Sequence, residues 1–107
     1  MVAITDKTVN KWIKNFVKKI NKKYSPEKII LFGSRARKDN LIESDVDMIV
    51  VSKKFENIKW PVRIGDVADE WEGYVVLEPL CYTPEEFAFK KKQIGIVQQA
   101  VKEGIAL

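Results

Sequence analysis

The chain has 107 residues, a length that suits one domain with one core, and at 46% hydrophobic and 32% charged it has the balance of a soluble globular protein. No apolar run approaches the ~18 residues of a membrane span, the start MVAITDKTVNKW lacks a signal peptide's apolar core, and the cytoplasm is the expected compartment. A lone cysteine, Cys81, and no histidine rule out an internal disulfide and the usual Cys/His zinc sites, leaving carboxylate, lysine or water as general base; the net charge of +4 suits a polyanionic ligand without specifying one.

Residues from about Thr5 to Tyr24 predict an amphipathic helix. Val9, Trp12, Ile13, Phe16, Val17 and Ile20 recur at helical spacing, and Thr5 or Asp6 can cap the start. Lys7, Lys11, Lys14, Lys18, Lys22 and Lys23 fall mostly on the other side; a solvated surface is the preferred reading of that face over a nucleic-acid contact. Ser25-Pro26 ends the helix, because proline disfavours helical geometry in the residue before it. Glu27 to Phe32 is the first strand, apolar enough for burial on both faces. A Gly33-Ser34 turn, a short helix and a loop from Asp39 to Ser44 lead to a second strand, Asp45 to Val51. Trp60-Pro61 opens a helix that runs through Glu70 and stops at Gly73. Tyr74 to Tyr82 is the third strand, which Pro79 marks as an edge strand or a bulged one. Thr83, Pro84 and Glu86 form a capping-box helix start, and a last helix from about Ile94 to Lys102 ends at Gly104. The expected fold is α/β (α+β): one domain over residues 1–107, with a small mixed sheet of three to four strands and helices packed against it.

The stretch LFGSRARKDNLIESDVDMIVV, from Leu31 to Val51, carries the chemistry. Gly33-Ser34 opens a helix start, where backbone N–H groups favour an anion. Asp45 and Asp47 are one residue apart on a strand and share a face, where two like charges ask for a cation between them. Mg²⁺ suits such a place, since it takes one or two carboxylates together with substrate phosphates. Arg35, Arg37 and Lys38 lie between the two ends.

GSRAR followed by SDVD resembles the signature of the DNA polymerase β-like nucleotidyltransferase superfamily, and the short length is most similar to its minimal nucleotidyltransferases. The resemblance runs from about Ile29 to Val51, with a looser echo to the C-terminus; the chain departs from the pattern at Lys38, where glycine is common, and Asp39-Asn40 can supply the turn instead. It implies that Gly33, Ser34, Arg35 and Arg37 bind a nucleoside triphosphate, with ATP expected. It further implies that Asp45 and Asp47 are catalytic and hold one or two Mg²⁺ ions. Family members commonly carry a third acid on the strand after the middle helix. Glu78 is the acid there, expected among the apolar Val76 and Leu80 on one face, as a metal ligand or as the base that deprotonates the acceptor. The implied partner is a small helical protein of toxin–antitoxin type, with a homo-oligomer as a further possibility; the alternative is a non-catalytic module that neutralises such a partner. A simple RNA-binding protein ranks lower, because aromatics are not interleaved with basic residues on strands.

Overall fold

The computed structural model describes residues 6–41 and 44–107. The Thr5 cap and residues 42–43 of the loop before the second strand therefore lie outside the described residues. The chain forms α1 (Asp6–Tyr24), β1 (Lys28–Phe32), α2 (Ser34–Arg37), β2 (Val46–Val51), a 3-10 turn (Lys53–Phe55), α3 (Trp60–Ala68), β3 (Leu77–Tyr82), α4 (Pro84–Lys90), α5 (Ile96–Glu103) and β4 (Ile105–Ala106).

Four strands lie in the order β3-β2-β1-β4. β1 pairs antiparallel with β2 and with β4, while β2 and β3 are parallel and joined through α3. The sheet is mixed, and β3 is an edge strand, which is where Pro79 can be tolerated. β1 and β2 are apolar on both faces because helices cover both. Ile29, Leu31, Met48 and Val50 pack with Val9, Phe16 and Ile20 of α1 and Val67 of α3. The alternate residues Ile30, Phe32, Ile49 and Val51 pack with Phe87 of α4 and Val97 of α5. Cys81 of β3 is fully buried in the first cluster, and burial pushes its thiol up to about 12.

Several elements differ from the sequence expectation: β1 and β2 each begin one residue late, at Lys28 and Val46, so Asp45 stands just ahead of its strand, and the last helix runs from Ile96 to Glu103. α3 ends at Ala68, so Gly73 is not its stop; a Cβ there would collide with the Trp71 and Trp12 rings, and glycine lets the chain pass the aromatic cluster. β3 begins at Leu77, three residues later than expected, with Val76 58% exposed. β4 is a strand that the terminal residues give no warning of. Gly104 ends α5, and its lack of a Cβ lets the chain close on Ile30 and reach β1, where Ile105 pairs with Leu31.

A buried arginine ties α3 to α4. Arg63 donates to the carbonyls of Ile58 (2.8 Å) and Cys81 (3.3 Å) and to Glu86 Oε1 (2.6 Å). Glu86 also accepts from the Thr83 backbone N–H and completes the expected capping box. Burial opposes ionisation of Glu86, but the bonds from Arg63 and Thr83 outweigh it and hold the carboxyl below its usual range.

Candidate active site

Parity decides which face carries the acids. Asp47 alternates with Met48 and so shares a face with Ile49 and Val51, the side covered by α4 and α5. In the parallel pairing of β2 with β3 its neighbour is Glu78. In the antiparallel pairing of β1 with β2 its neighbour is Phe32, one residue before the Gly-Ser turn. Two carboxylates and that turn therefore meet at one end of the sheet.

The turn lies directly on Asp47. Gly33 has φ 77° and ψ −157°, a conformation open essentially only to glycine. A Cβ on residue 33 would stand 2.5 Å from Asp47 Oδ2, so any side chain would displace the carboxylate. Gly33 accepts the Ala36 and Arg37 N–H groups at 3.1 Å, which closes α2 tightly above the acid, and no side chain caps the helix start. Lys38 ends α2 in the left-handed region at φ 63°, so the backbone makes the turn at Lys38 itself, although a lysine stands there.

The electrostatics are those of neighbouring carboxylates, one of them partly buried. Asp47 is pushed from 3.8 up to about 6, first by burial, then by a hydrogen bond shared with Glu78, then by the charges of Glu78 and Asp45; Arg37 opposes the shift. Glu78 is exposed, which corrects the expectation of a carboxylate enclosed by Val76 and Leu80: Val76 precedes the strand, and this corner of the edge is open. Asp45 is exposed just ahead of β2. Among the described residues no three acidic, histidine or cysteine side chains already converge at metal-ligand distance. The donor chemistry nevertheless fits Mg²⁺, which needs one or two carboxylate oxygens and completes its shell with water and phosphate.

The two arginines of the turn part company, because helix positions two apart face away from each other. Arg37, with Gly33 and Asp47, lines a cleft of about 240 Å³. Its ion pairs to Asp39 (3.2 Å) and Glu103 (3.8 Å) are half-exposed and weak, so a phosphate can replace them. Arg35 is turned to the α1 side. Its side chain is 6% exposed, with Nε and Nη2 on the Ser44 carbonyl at 3.0 and 2.7 Å and Nη1 3.4 Å from Asp6. It ties α2 to Ser44, next to Asp45, so of the two arginines expected to bind nucleotide it is Arg37 that lines the cleft. The far wall of the cleft is α5, through Ile96, Gln99 and Glu103. The amphipathic spacing of α5 was legible in sequence; its return to the turn was not, since only tertiary packing brings it there.

The sequence profile of the nucleotidyltransferase domain matches residues 11–106. A crystal structure from Sulfolobus solfataricus, described as that of a candidate nucleotidyltransferase, is 24% identical, with 90% of this chain and 76% of that one covered and a TM-score of 0.64. BolA1 from Arabidopsis thaliana is 20% identical, with 70% of this chain and 94% of that one covered and a TM-score of 0.58. At these identities both likenesses speak for the fold alone. No curated protein matches. With a domain profile that spans all but the first ten residues and the last, and with the Gly-Ser turn resting on the second aspartate, the chain belongs to the nucleotidyltransferase domain family.

Proposed function

We propose that the protein transfers a nucleoside monophosphate from a nucleoside triphosphate, with ATP as the expected donor, to an acceptor hydroxyl in the presence of Mg²⁺. The observation that carries this reading is the approach of Gly33 to Asp47: the Gly-Ser turn that would hold the phosphates lies directly against the second aspartate of the acid pair. The raised Asp47 supports it, since neighbouring carboxylates that resist joint ionisation gain from a cation.

Each group has a task. The Ser34 hydroxyl and the N–H groups at the start of α2 hold the terminal phosphates. Arg37 exchanges its weak acid partners for phosphate oxygens. Asp45, Asp47 and Glu78 would hold Mg²⁺, which when bound neutralises triphosphate charge and stabilises the departing pyrophosphate. The acceptor oxygen bonds to the α-phosphorus as the bond to the bridging oxygen of the β-phosphate breaks; pyrophosphate leaves with that electron pair. Glu78, at the open corner, takes the hydroxyl proton and passes it to water. Arg35 keeps its loop contacts throughout.

The test is the double variant Asp45→Asn with Asp47→Asn. The variant is expected to stay folded, to lose Mg²⁺-dependent ATP binding in calorimetry, and to lose label transfer from α-labelled ATP. Transfer at the wild-type rate in the double variant would discard the mechanism.

A further inference from the structure

The geometry points to a single-stranded polynucleotide as the acceptor, bound along α1 and led round α2 to the site; this rests on the transferase reading above. Lys7, Lys11, Lys14, Lys18 and Lys22 are all exposed. At about 100° per residue they fall within an arc of about 80°, opposite the buried row of Val9, Ile13, Phe16 and Ile20. The row is about 22 Å long at 1.5 Å per residue. After Asp6 the helix contains no acid, and among the described residues none of these five lysines has an ion pair. The two lysines off the row, Lys19 and Lys23, are paired with Glu72 and Glu70. Without the row the chain has 14 basic against 15 acidic residues, so the positive excess of the molecule lies along this one line.

The row leads to the site. α1 starts beside the turn, where Asp6 contacts Arg35 and Asn40. Lys14 and Lys38 line one groove of about 500 Å³ between α1 and the β4 edge. Lys38 follows directly on Arg37, which lines the cleft with Asp47. A ligand on this path must pass from the α1 face of the sheet to the α5 face within one short helix. A flexible single strand can make that turn, whereas a duplex, with a persistence length of about 50 nm, cannot. Membrane insertion of α1 is ruled out by its apolar face, which is already in the core. At the site the terminal 3′-oxygen of the strand bonds to the α-phosphorus, pyrophosphate leaves, and the proton passes to Glu78.

The test uses the full chain with a fluorescent 12-mer oligoribonucleotide, read by anisotropy over a salt series. Six phosphate contacts, five from α1 and one from Lys38, give a log–log salt slope of about −4 at about −0.7 per contact. The variant Lys7→Gln, Lys11→Gln, Lys18→Gln, Lys22→Gln is expected to keep its melting temperature and its Mg²⁺-dependent ATP binding. Its affinity for the oligonucleotide should fall at least about tenfold at low salt, with the slope flattened to about −1.4. A control of equal charge loss at Lys53, Lys90, Lys92 and Lys102 should keep its affinity. Label from α-labelled ATP should join an oligonucleotide with a free 3′-hydroxyl and spare one with a 3′-phosphate. Equal losses in both variants, tighter binding to vesicles of anionic lipid than to the oligonucleotide, or label indifferent to the 3′ block would each overturn the inference. Because oligonucleotide binding needs no chemistry, a wild-type chain that binds the strand but not ATP would overturn the transferase reading and this acceptor role with it. A chain that binds ATP but not the strand would overturn this inference alone.

Discussion

Asp47→Asn separates what the fold asks of this residue from what the chemistry asks. The carboxyl moves from 3.8 to about 6 on folding, first through burial and then through Glu78 and Asp45. A carboxyl raised in the folded state contributes stability that is whole below the unfolded value and is lost as pH climbs through the folded one. Ionised Asp47 is therefore a burden at neutral pH. At about 1.4 kcal/mol per pH unit the shift corresponds to about 3 kcal/mol, and solvent screening at this half-open position reduces it to about 1–2 kcal/mol. Asparagine keeps the shape, carries no charge and can donate to Glu78. Urea denaturation should find the variant about as stable as the wild type near pH 3.5, and more stable by about 1–2 kcal/mol above pH 7. The gain should open between about pH 4 and 6. Activity should be lost over the whole range. A variant less stable than wild type at pH 7.5, or one whose gain is the same at both ends of the titration, would refute this account of the acid pair.

Gly33→Ala forces a side chain into a glycine-only conformation and onto Asp47 Oδ2, and is expected to cost about 2–4 kcal/mol. Added Asp47→Ala should recover at least about 1 kcal/mol of that in a double-mutant cycle; strict additivity would deny the contact. Lys38→Gly relieves a left-handed lysine at φ 63° and should stabilise by about 1 kcal/mol in thermal unfolding, with no gain if the turn is unstrained. Arg63→Met removes the donor to Ile58, Cys81 and Glu86 and should cost about 3 kcal/mol at pH 7. The lowered Glu86 contributes stability that is present above its unfolded value and lost as pH falls through its folded one, so the Arg63→Met deficit should shrink below about pH 4. An unchanged deficit at pH 3 would show that Glu86 plays no part in it.

The central motif was legible because its constraints are local. The Gly-Ser turn and the Asp-x-Asp pair can each be read within a few residues, but strand parity fixes the face of Asp47 alone, because Asp45 stands one residue ahead of β2. The place of Glu78 beside Asp47 follows from the parallel register of β2 with β3, a pairing carried through α3. Its exposure was not legible, because it depends on where β3 starts and on how open the sheet edge is there. Arg35 and Arg37 look alike in sequence; what divides them is a turn of α2 between two different neighbours, the Ser44 loop and the cleft. β4 escaped because a two-residue strand has no periodicity to read, only the partner it finds on β1. The row of lysines on α1 was visible as periodicity, but its continuation to Lys38 exists only once α1 and α2 are packed.

The lone thiol, sealed in the first core cluster and hard to ionise, turns the protein into its own gauge. Cys81 can meet a small electrophile only when β3 comes open, so in denaturant-free buffer the rate of alkylation tracks the opening equilibrium. A compound that prefers the closed form slows that rate by one plus its concentration over its Kd. Nucleotides, divalent ions and oligonucleotides can thus be ranked by mass spectrometry on the native sequence, with no labelled substrate and no turnover.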